Sequence, residues 1–355
     1  MYRNLRIVPY LIFGRGSYAQ LGDVLRPRRT GSSVVFMIDD VHEGKPFTSS
    51  LPMEEKDLLL FVNVDVEPKT KYVDELTEQV RSSSGRQPAA LVGIGGGSTM
   101  DIAKAVSLML TNPGSSAEYQ GWDLVHHPAV FHVGIPTLAG TGAEVSRTAV
   151  LTGPVRKLGI NSDYTPFDQI ILDPDLLEGA PATQRFYTAM DSYIHAAESL
   201  RGTFINEYSR AYAEKSMELC REVFLGELDK AAADEKLMIA SYFGGLSIAY
   251  SQVGVCHALG YGLSYVLGVR HGIGNCIIFN HLEEYYPAEV REFREMAAKH
   301  NIPLPRETTK GLDEHQMSEM IGVALSLDPL WQNALGPDWK KIMTPEKARE
   351  LYLRM

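Results

Sequence analysis

The stretch Gly93-Ile-Gly-Gly-Gly-Ser-Thr-Met-Asp-Ile-Ala-Lys104 decides the fold. It follows the apolar run Ala89-Ala-Leu-Val-Gly-Ile94 and leads into a segment with apolar residues at Ile102, Ala103, Val106, Met109 and Leu110. That order reads as a strand, a glycine turn and an amphipathic helix. Glycines let backbone N–H groups approach a pyrophosphate, and a helix N-terminus adds a favourable partial charge. The loop therefore suits a dinucleotide. Two other readings stay open: Ser98 and Asp101, three apart, could form a plain capping box, and a lone glycine loop does not separate a dinucleotide from a mononucleotide.

Working outward, short β-rich runs alternate with amphipathic segments through the first half: Ser33–Ile38, Leu58–Val64, Ala89–Ile94, Val130–Ile135 and Gln169–Leu172. The alternation predicts a parallel sheet wrapped by helices. Gly14-Arg-Gly16, after a short early strand, reads as a turn without chemistry. From about Leu176 long helical patterns, such as Glu207–Val223 and Lys236–Ser251, follow one another without convincing strands. We expect an α/β dinucleotide-binding domain over residues 1–175 and an all-helical domain over residues 176–355, with the seam at Asp173-Pro-Asp-Leu176 and Gly179-Ala-Pro181. A second polar loop, Pro136-Thr-Leu-Ala-Gly-Thr-Gly-Ala-Glu144, also follows a strand. It is expected to set Thr137 and Thr141 beside two permissive glycines at the carboxyl edge of the sheet, making a crevice with the first loop. Asp39 and Asp40 end an early strand, where a carboxylate accepts hydrogen bonds from an adenosine ribose and repels a 2′-phosphate. They favour NAD over NADP, although two aspartates could simply begin a solvated turn.

Composition narrows the partners. With 355 residues and 45% hydrophobic content the chain can bury two moderate cores. A net charge of −10 with scattered basic residues argues against nucleic acid. No apolar run approaches twenty residues, and Met1-Tyr-Arg-Asn-Leu-Arg lacks the features of a signal peptide, so no membrane is expected and the cytoplasm is the expected location. Cys220, Cys256 and Cys276 are in no metal-type spacing and read as reduced packing residues.

The chemistry concentrates in the second half. Asp191 and His195 lie four apart in the helix-like run Thr188–Glu198, so both side chains leave one helical face. His257 lies in the apolar run Gly254–Leu263, and His271 opens what reads as a turn, His271-Gly-Ile-Gly-Asn275. Taken singly, each histidine could be a core or surface residue. Together with Asp191 they can close around one divalent metal, and nitrogen and oxygen donors suit iron(II) or zinc.

In order and spacing, Gly95-Gly-Gly-Ser-Thr-Met-Asp-Ile-Ala-Lys104, Pro136–Glu144, Asp173-Pro-Asp-Leu176, Asp191-x-x-x-His195 and the His257…His271-Gly segment resemble the iron-containing (group III) alcohol dehydrogenase family over nearly the whole chain. The resemblance implies an N-terminal dinucleotide-binding domain, a helical C-terminal domain, and a metal and nicotinamide held between them. It implies that Asp191, His195, His257 and His271 are metal ligands and that Gly96, Gly97, Ser98, Asp101, Thr137, Thr141, Lys157 and Asp39 contact NAD. Many members carry a further histidine four residues after the first ligand of the C-terminal pair, and this chain has Tyr261 there. Its hydroxyl could relay a proton, or the ring could be structural. The chain looks short for the family at its C-terminus, so a trimmed helical end and a wider pocket are expected. The implied reaction takes a hydride from an alcohol carbon to the nicotinamide while the metal lowers the pKa of the alcohol. The expected substrate is a small polyhydroxylated primary alcohol with a remote carboxylate, a sugar acid, clamped by Arg147, Arg201 or Arg270. A homo-oligomer is also expected. A general primary-alcohol dehydrogenase, a dehydroquinate-synthase-like lyase and a silent nucleotide-binding protein are the alternatives.

Overall fold

A computed structural model describes residues 6–65 and 67–355. Met1 to Leu5, which carry most of the reading against a leader, and Val66 lie outside the described residues. The chain divides into two compact units. One comprises the described residues up to Leu138 together with Ala143–Glu178, and the other joins Ala139–Gly142 to Gly179–Met355.

The first unit contains strands β1 (Tyr10–Phe13), β2 (Val34–Asp39), β3 (Leu58–Val62), β4 (Ala90–Gly95), β5 (Gly121–Trp122), β6 (His132–Pro136), β7 (Thr148–Thr152), β8 (Lys157–Asn161) and β9 (Gln169–Leu172). Its helices are α1 (Leu21–Leu25), α2 (Thr70–Ser84) and α3 (Gly97–Met109). Six strands form one parallel sheet in the order β1-β9-β6-β4-β2-β3. β2 and β4 are buried along their whole length, which is why their runs are continuously apolar instead of alternating. Val34, Phe36, Ile38, Val92, Ile94, Val133, Ile135 and Ile171 form the core with Leu21 and Leu25 of α1.

The strand order positions the cofactor loop. From β2 the chain passes to β3 on one side and then returns to β4 on the other. The carboxyl ends of β2 and β4 therefore flank the switch point of the sheet, where open α/β sheets bind ligands. Asp39 ends β2 and Gly95 ends β4 at that point.

A second sheet of three strands, ordered β5-β8-β7, departs from the expectation of a single parallel sheet. β7 and β8 are antiparallel, pairing Thr148 with Asn161 through Thr152 with Lys157. The sequence signal was the Gly153-Pro154 pair after the short run Thr148–Thr152, which marks a turn. At the other end of the unit, Asp173 accepts from Gly16 N at 3.0 Å and Tyr18 N at 2.9 Å, tying the turn after β1 to the end of β9.

Helices α4 (Ala182–Arg201), α5 (Glu207–Phe224), α6 (Lys230–Tyr250), α7 (Val255–Leu267), α8 (His271–Phe279), α9 (Pro287–Lys299), α10 (Glu314–Leu325), α11 (Asp328–Leu335), α12 (Trp339–Ile342) and α13 (Pro345–Tyr352) build the second unit. α5 begins where expected because Asn206 and Ser209 form a reciprocal capping box. α6 starts six residues before the expected Lys236, where the Asp229 side chain accepts from Ala232 N. Its first turn, Lys230-Ala-Ala-Ala, carries good helix formers but no apolar stripe, so periodicity alone missed it.

The segment Ala139–Gly142 packs within this helical unit. A Cβ on Gly140, whose φ is +150°, would lie 1.6 Å from Thr188 O, and one on Gly142 would lie 2.5 Å from Gly245 Cα. These glycines, in the loop that follows β6, admit the backbones of α4 and α6. Cys220, Cys256 and Cys276 are free thiols and buried. Among the described residues no helix is long and apolar enough to cross a membrane.

Candidate metal centre and cofactor loop

The cofactor loop is built by close packing. Gly96 is the N-cap of α3 and no side chain caps the helix, so Ser98 and Asp101 do not form the capping box that spacing allowed. A Cβ on Gly95 would meet Thr99 Oγ1 at 2.4 Å and Asp39 Cβ at 2.9 Å, so only glycine lets β2 and the start of α3 approach this closely. Asp39 is 7% exposed and accepts from Val41 N at 3.1 Å. Asp40 accepts from Asn63 Nδ2 at 2.8 Å. Thr137 N donates to Gly95 O at 2.9 Å, which sets Thr137 beside the same loop, and its hydroxyl lies 3.0 Å from His42 Nε2. Thr141 belongs to the helical unit instead.

Behind the loop lies a cluster of buried charge. Lys104, fully buried, donates to Ser146 O and Thr148 O at 3.0 and 2.9 Å. Lys157 on β8 is 1% exposed and holds Glu67 at 2.7 Å. Burial pushes the Asp101 carboxyl up against the opposing pull of Lys104, and burial pushes Lys104 down. Thr99 Oγ1 and Asp101 Oδ1 are enclosed with no hydrogen-bond partner among the described residues. Polar groups left over at a helix N-terminus fit a phosphate- and ribose-bearing ligand.

The four residues expected to bind a metal come from three helices of the second unit. Asp191 and His195 project from one face of α4, His257 from the first turn of α7, and His271 is the first residue of α8. His271 thus begins a helix instead of sitting in the expected turn. Asp191, His257 and His271 each bring a ligand atom within 4.8 Å of the others. His195 lies against this group, its Nε2 3.8 Å from Asp191 Oδ2 and its ring stacked on His257 with centroids 4.7 Å apart. Tyr261, half-buried on α7, stacks on His271 with centroids 6.3 Å apart.

Electrostatics favour a cation here. Burial would raise the Asp191 carboxyl, but the imidazoles of His271, His195 and His257 hold it well below the usual carboxylate range. Burial pushes His195 down to about 3, so its ring is neutral. Burial acts the same way on His257, yet Glu198 and Asp191 flank that ring and lift it to about 10. The two carboxylates therefore ask for positive charge at His257 Nε2, either a proton or a metal ion. Asn275 Nδ2, a donor 3.1 Å from that atom, marks Nε2 as a lone pair. Asp191 Oδ2 and His195 Nδ1 are enclosed without a hydrogen-bond partner among the described residues. One buried carboxylate and the imidazoles of His257 and His271, with Asp191 Oδ2 unsatisfied and His195 alongside, fit a divalent metal.

Sequence reasoning passed over two supporting residues. Glu198 is one more turn along α4 from His195; its Oε2 lies 2.5 Å from His257 Nδ1 and its Oε1 accepts from Cys256 N at 2.6 Å and His257 N at 3.3 Å. The i, i+4, i+7 spacing of Asp191, His195 and Glu198 was the available signal. Asn275 follows His271 by four on α8 and faces the same group. The arginine clamp fares less well. Arg147 is 7% exposed and bonded to Asp123 and Asp163, so its charge is already matched. Arg201 pairs with Glu289 at 2.8 Å. Arg270 is exposed at the start of α8, directly before His271.

Residues 9–174 match the family model for iron-containing alcohol dehydrogenase, and residues 185–319 match that for the C-terminal part of the Fe-containing alcohol dehydrogenase family. The chain is 30% identical to a sulfoacetaldehyde reductase of Bilophila wadsworthia, over 75% of this chain and 70% of that protein. It is 29% identical to an NAD-dependent methanol dehydrogenase of Bacillus methanolicus, over 79% of this chain and 74% of that one. The fold matches the solved alcohol dehydrogenase from Oenococcus oeni with a TM-score of 0.84 at 17% identity, over 99% of both chains. On these matches the chain belongs to the iron-containing alcohol dehydrogenase family, oxidoreductases that act on CH–OH groups with a divalent metal and NAD as cofactors.

Proposed function

We propose that this chain interconverts a primary alcohol and its aldehyde, with the metal held by Asp191, His195, His257 and His271 and NAD seated on Gly96, Gly97, Ser98, Asp101 and Thr137. Thr141 and Lys157 are further contacts of the cofactor, and Asp39 accepts from its ribose. When bound, the metal supplies Lewis acidity toward the substrate oxygen and the nicotinamide accepts the hydride. The chain's own residues do the rest. Glu198 keeps the His257 proton on Nδ1 and so leaves Nε2 to bind. The N-terminus of α3 favours the pyrophosphate, and Tyr261 relays the alcohol proton to solvent through its hydroxyl, a role that its stacking on His271 supports. The observation that carries this reading is the convergence of Asp191, His257 and His271 around unsatisfied buried atoms. Matches to dehydrogenase models over both halves favour it over a lyase.

For the substrate we propose a primary alcohol with a remote anionic group, of which the C8 hydroxyl of 3-deoxy-D-manno-octulosonate is one example. Arg270 beside His271 supports an anionic end, as does likeness to a protein named for an aldehyde that carries a sulfonate. The edge strand β1 leaves Tyr10, Leu11 and Phe13 exposed, which supports a homo-oligomer. The test is steady-state NADH formation from a panel of neutral and anionic primary alcohols, with metal-only and NAD-only controls. Arg270→Ala should raise KM for anionic members alone, and Tyr261→Phe should lower kcat with metal retained. Equal effects of Arg270→Ala on both classes would leave a general primary-alcohol dehydrogenase.

A further inference from the structure

We propose that Asn275 is a positioning residue of the metal site, its buried amide holding Asp191 Oδ1 so that Oδ2 is turned to the point on which His257 and His271 converge. The proposal rests on the reading of those residues as metal ligands. Asn275 is fully buried on α8, four residues after His271 and on the same helical face. Its Nδ2 lies 2.8 Å from Asp191 Oδ1, 3.1 Å from His257 Nε2 and 3.1 Å from His271 Nε2.

The orientation of the amide follows from its partners. An ionised carboxylate can only accept, so the 2.8 Å approach of Asp191 puts the amide nitrogen, not the oxygen, toward the ligand group. An imidazole nitrogen facing that N–H must then present a lone pair. A metal would take those two lone pairs and leave the amide bonded to Asp191 Oδ1, while Asp191 Oδ2, enclosed with no hydrogen-bond partner among the described residues, faces His271 Nε2 at 3.3 Å and His195 Nε2 at 3.8 Å and is the oxygen left to bind. The other end of the side chain shows that this is its task. Oδ1 has no hydrogen-bond partner among the described residues and rests against Gly260, where a Cβ would come within 2.4 Å of it. A merely structural asparagine would use both ends. Here the acceptor is left unsatisfied while two hydrogens serve three acceptors.

The test uses the full-length chain loaded with Zn2+ and follows transfer of the ion to a colorimetric chelator. Asn275→Ala and Asn275→Leu should each release zinc at least about tenfold faster than wild type, in line with the usual effect of losing a residue that orients a ligand. Loaded with Co2+, both variants should show a changed visible spectrum, which a loss of packing alone would not produce. Should Asn275→Leu fail to fold, Asn275→Ala decides, because it only removes atoms. Wild-type-like release with an unchanged Co2+ spectrum would overturn the role of Asn275 while leaving the ligand assignment standing. A wild-type chain that takes up no zinc would overturn both.

Discussion

The Glu198 carboxylate caps the helix that carries His257 and holds the ring of that histidine, bonding Cys256 N at 2.6 Å and His257 Nδ1 at 2.5 Å. One side chain on α4 thus starts α7 and fixes the tautomer of its first-turn histidine. A Cβ on Gly254, which precedes α7, would stand 3.3 Å from Glu198 Oε1, so glycine there keeps the approach open.

Glu198→Ala should therefore weaken metal binding by about 10–100-fold, as loss of a residue that orients a metal-bound histidine usually does. The variant also leaves three buried N–H groups, those of Cys256 N, His257 N and His257 Nδ1, without their acceptor, which costs on the order of 1–3 kcal/mol each. Chelator competition reads the first effect and denaturant unfolding of the metal-free chain reads the second. Native metal affinity in a destabilised variant would reduce Glu198 to a helix cap.

At the other site, Asp39 is expected to set cofactor choice. Its carboxylate ends β2 opposite Gly95, against the position where the 2′-phosphate of NADP would bring like charge. Asp39→Ser should narrow the preference for NAD by about 1–2 kcal/mol, the scale of one partly screened charge pair. Ratios of Kd for NAD and NADP measure it. An unchanged ratio would move the role to Asp40.

Gly140 makes a sharp structural prediction. Its φ of +150° disfavours any side chain, and a Cβ would overlap Thr188 O on α4. Gly140→Ala should destabilise the chain by at least about 3 kcal/mol through combined strain and overlap. Gly179, also at positive φ but with nothing within 4 Å of a Cβ, should cost only its backbone strain on the same change. Thermal unfolding of the two variants compares them, and equal losses would contradict the packing argument.

Much of the fold was legible because its signals are local. The buried parallel strands announce themselves as apolar runs, and the Gly93–Lys104 stretch places a strand, a turn and a helix in a row. The small second sheet was missed because β7 is half-polar and β5 is two residues long. Asp191 and His195 were visible as a helical pair, but the convergence of His257 and His271 on them is tertiary: residue types suggested it, and the resemblance added order and spacing. Glu198 and Asn275 are common residue types whose meaning lies in what they touch: helical spacing puts Glu198 on the face of Asp191 and His195, but only the fold shows that it meets His257. Arg147 shows the reverse error: its position after the second loop suggested a ligand clamp, yet Asp123 and Asp163, distant from it in sequence, already engage it.

X-ray absorption at the metal edge of the loaded chain tests the central claim most directly. The account predicts three imidazole nitrogens and at least one oxygen at about 2.0–2.2 Å. It also predicts that His271→Ala, with a native circular dichroism spectrum, loses one imidazole or the metal itself, and with it NADH formation. A sulfur shell near 2.3 Å, as Cys256 or Cys276 would give, or a His271→Ala chain that keeps its full metal content and turnover, would contradict it.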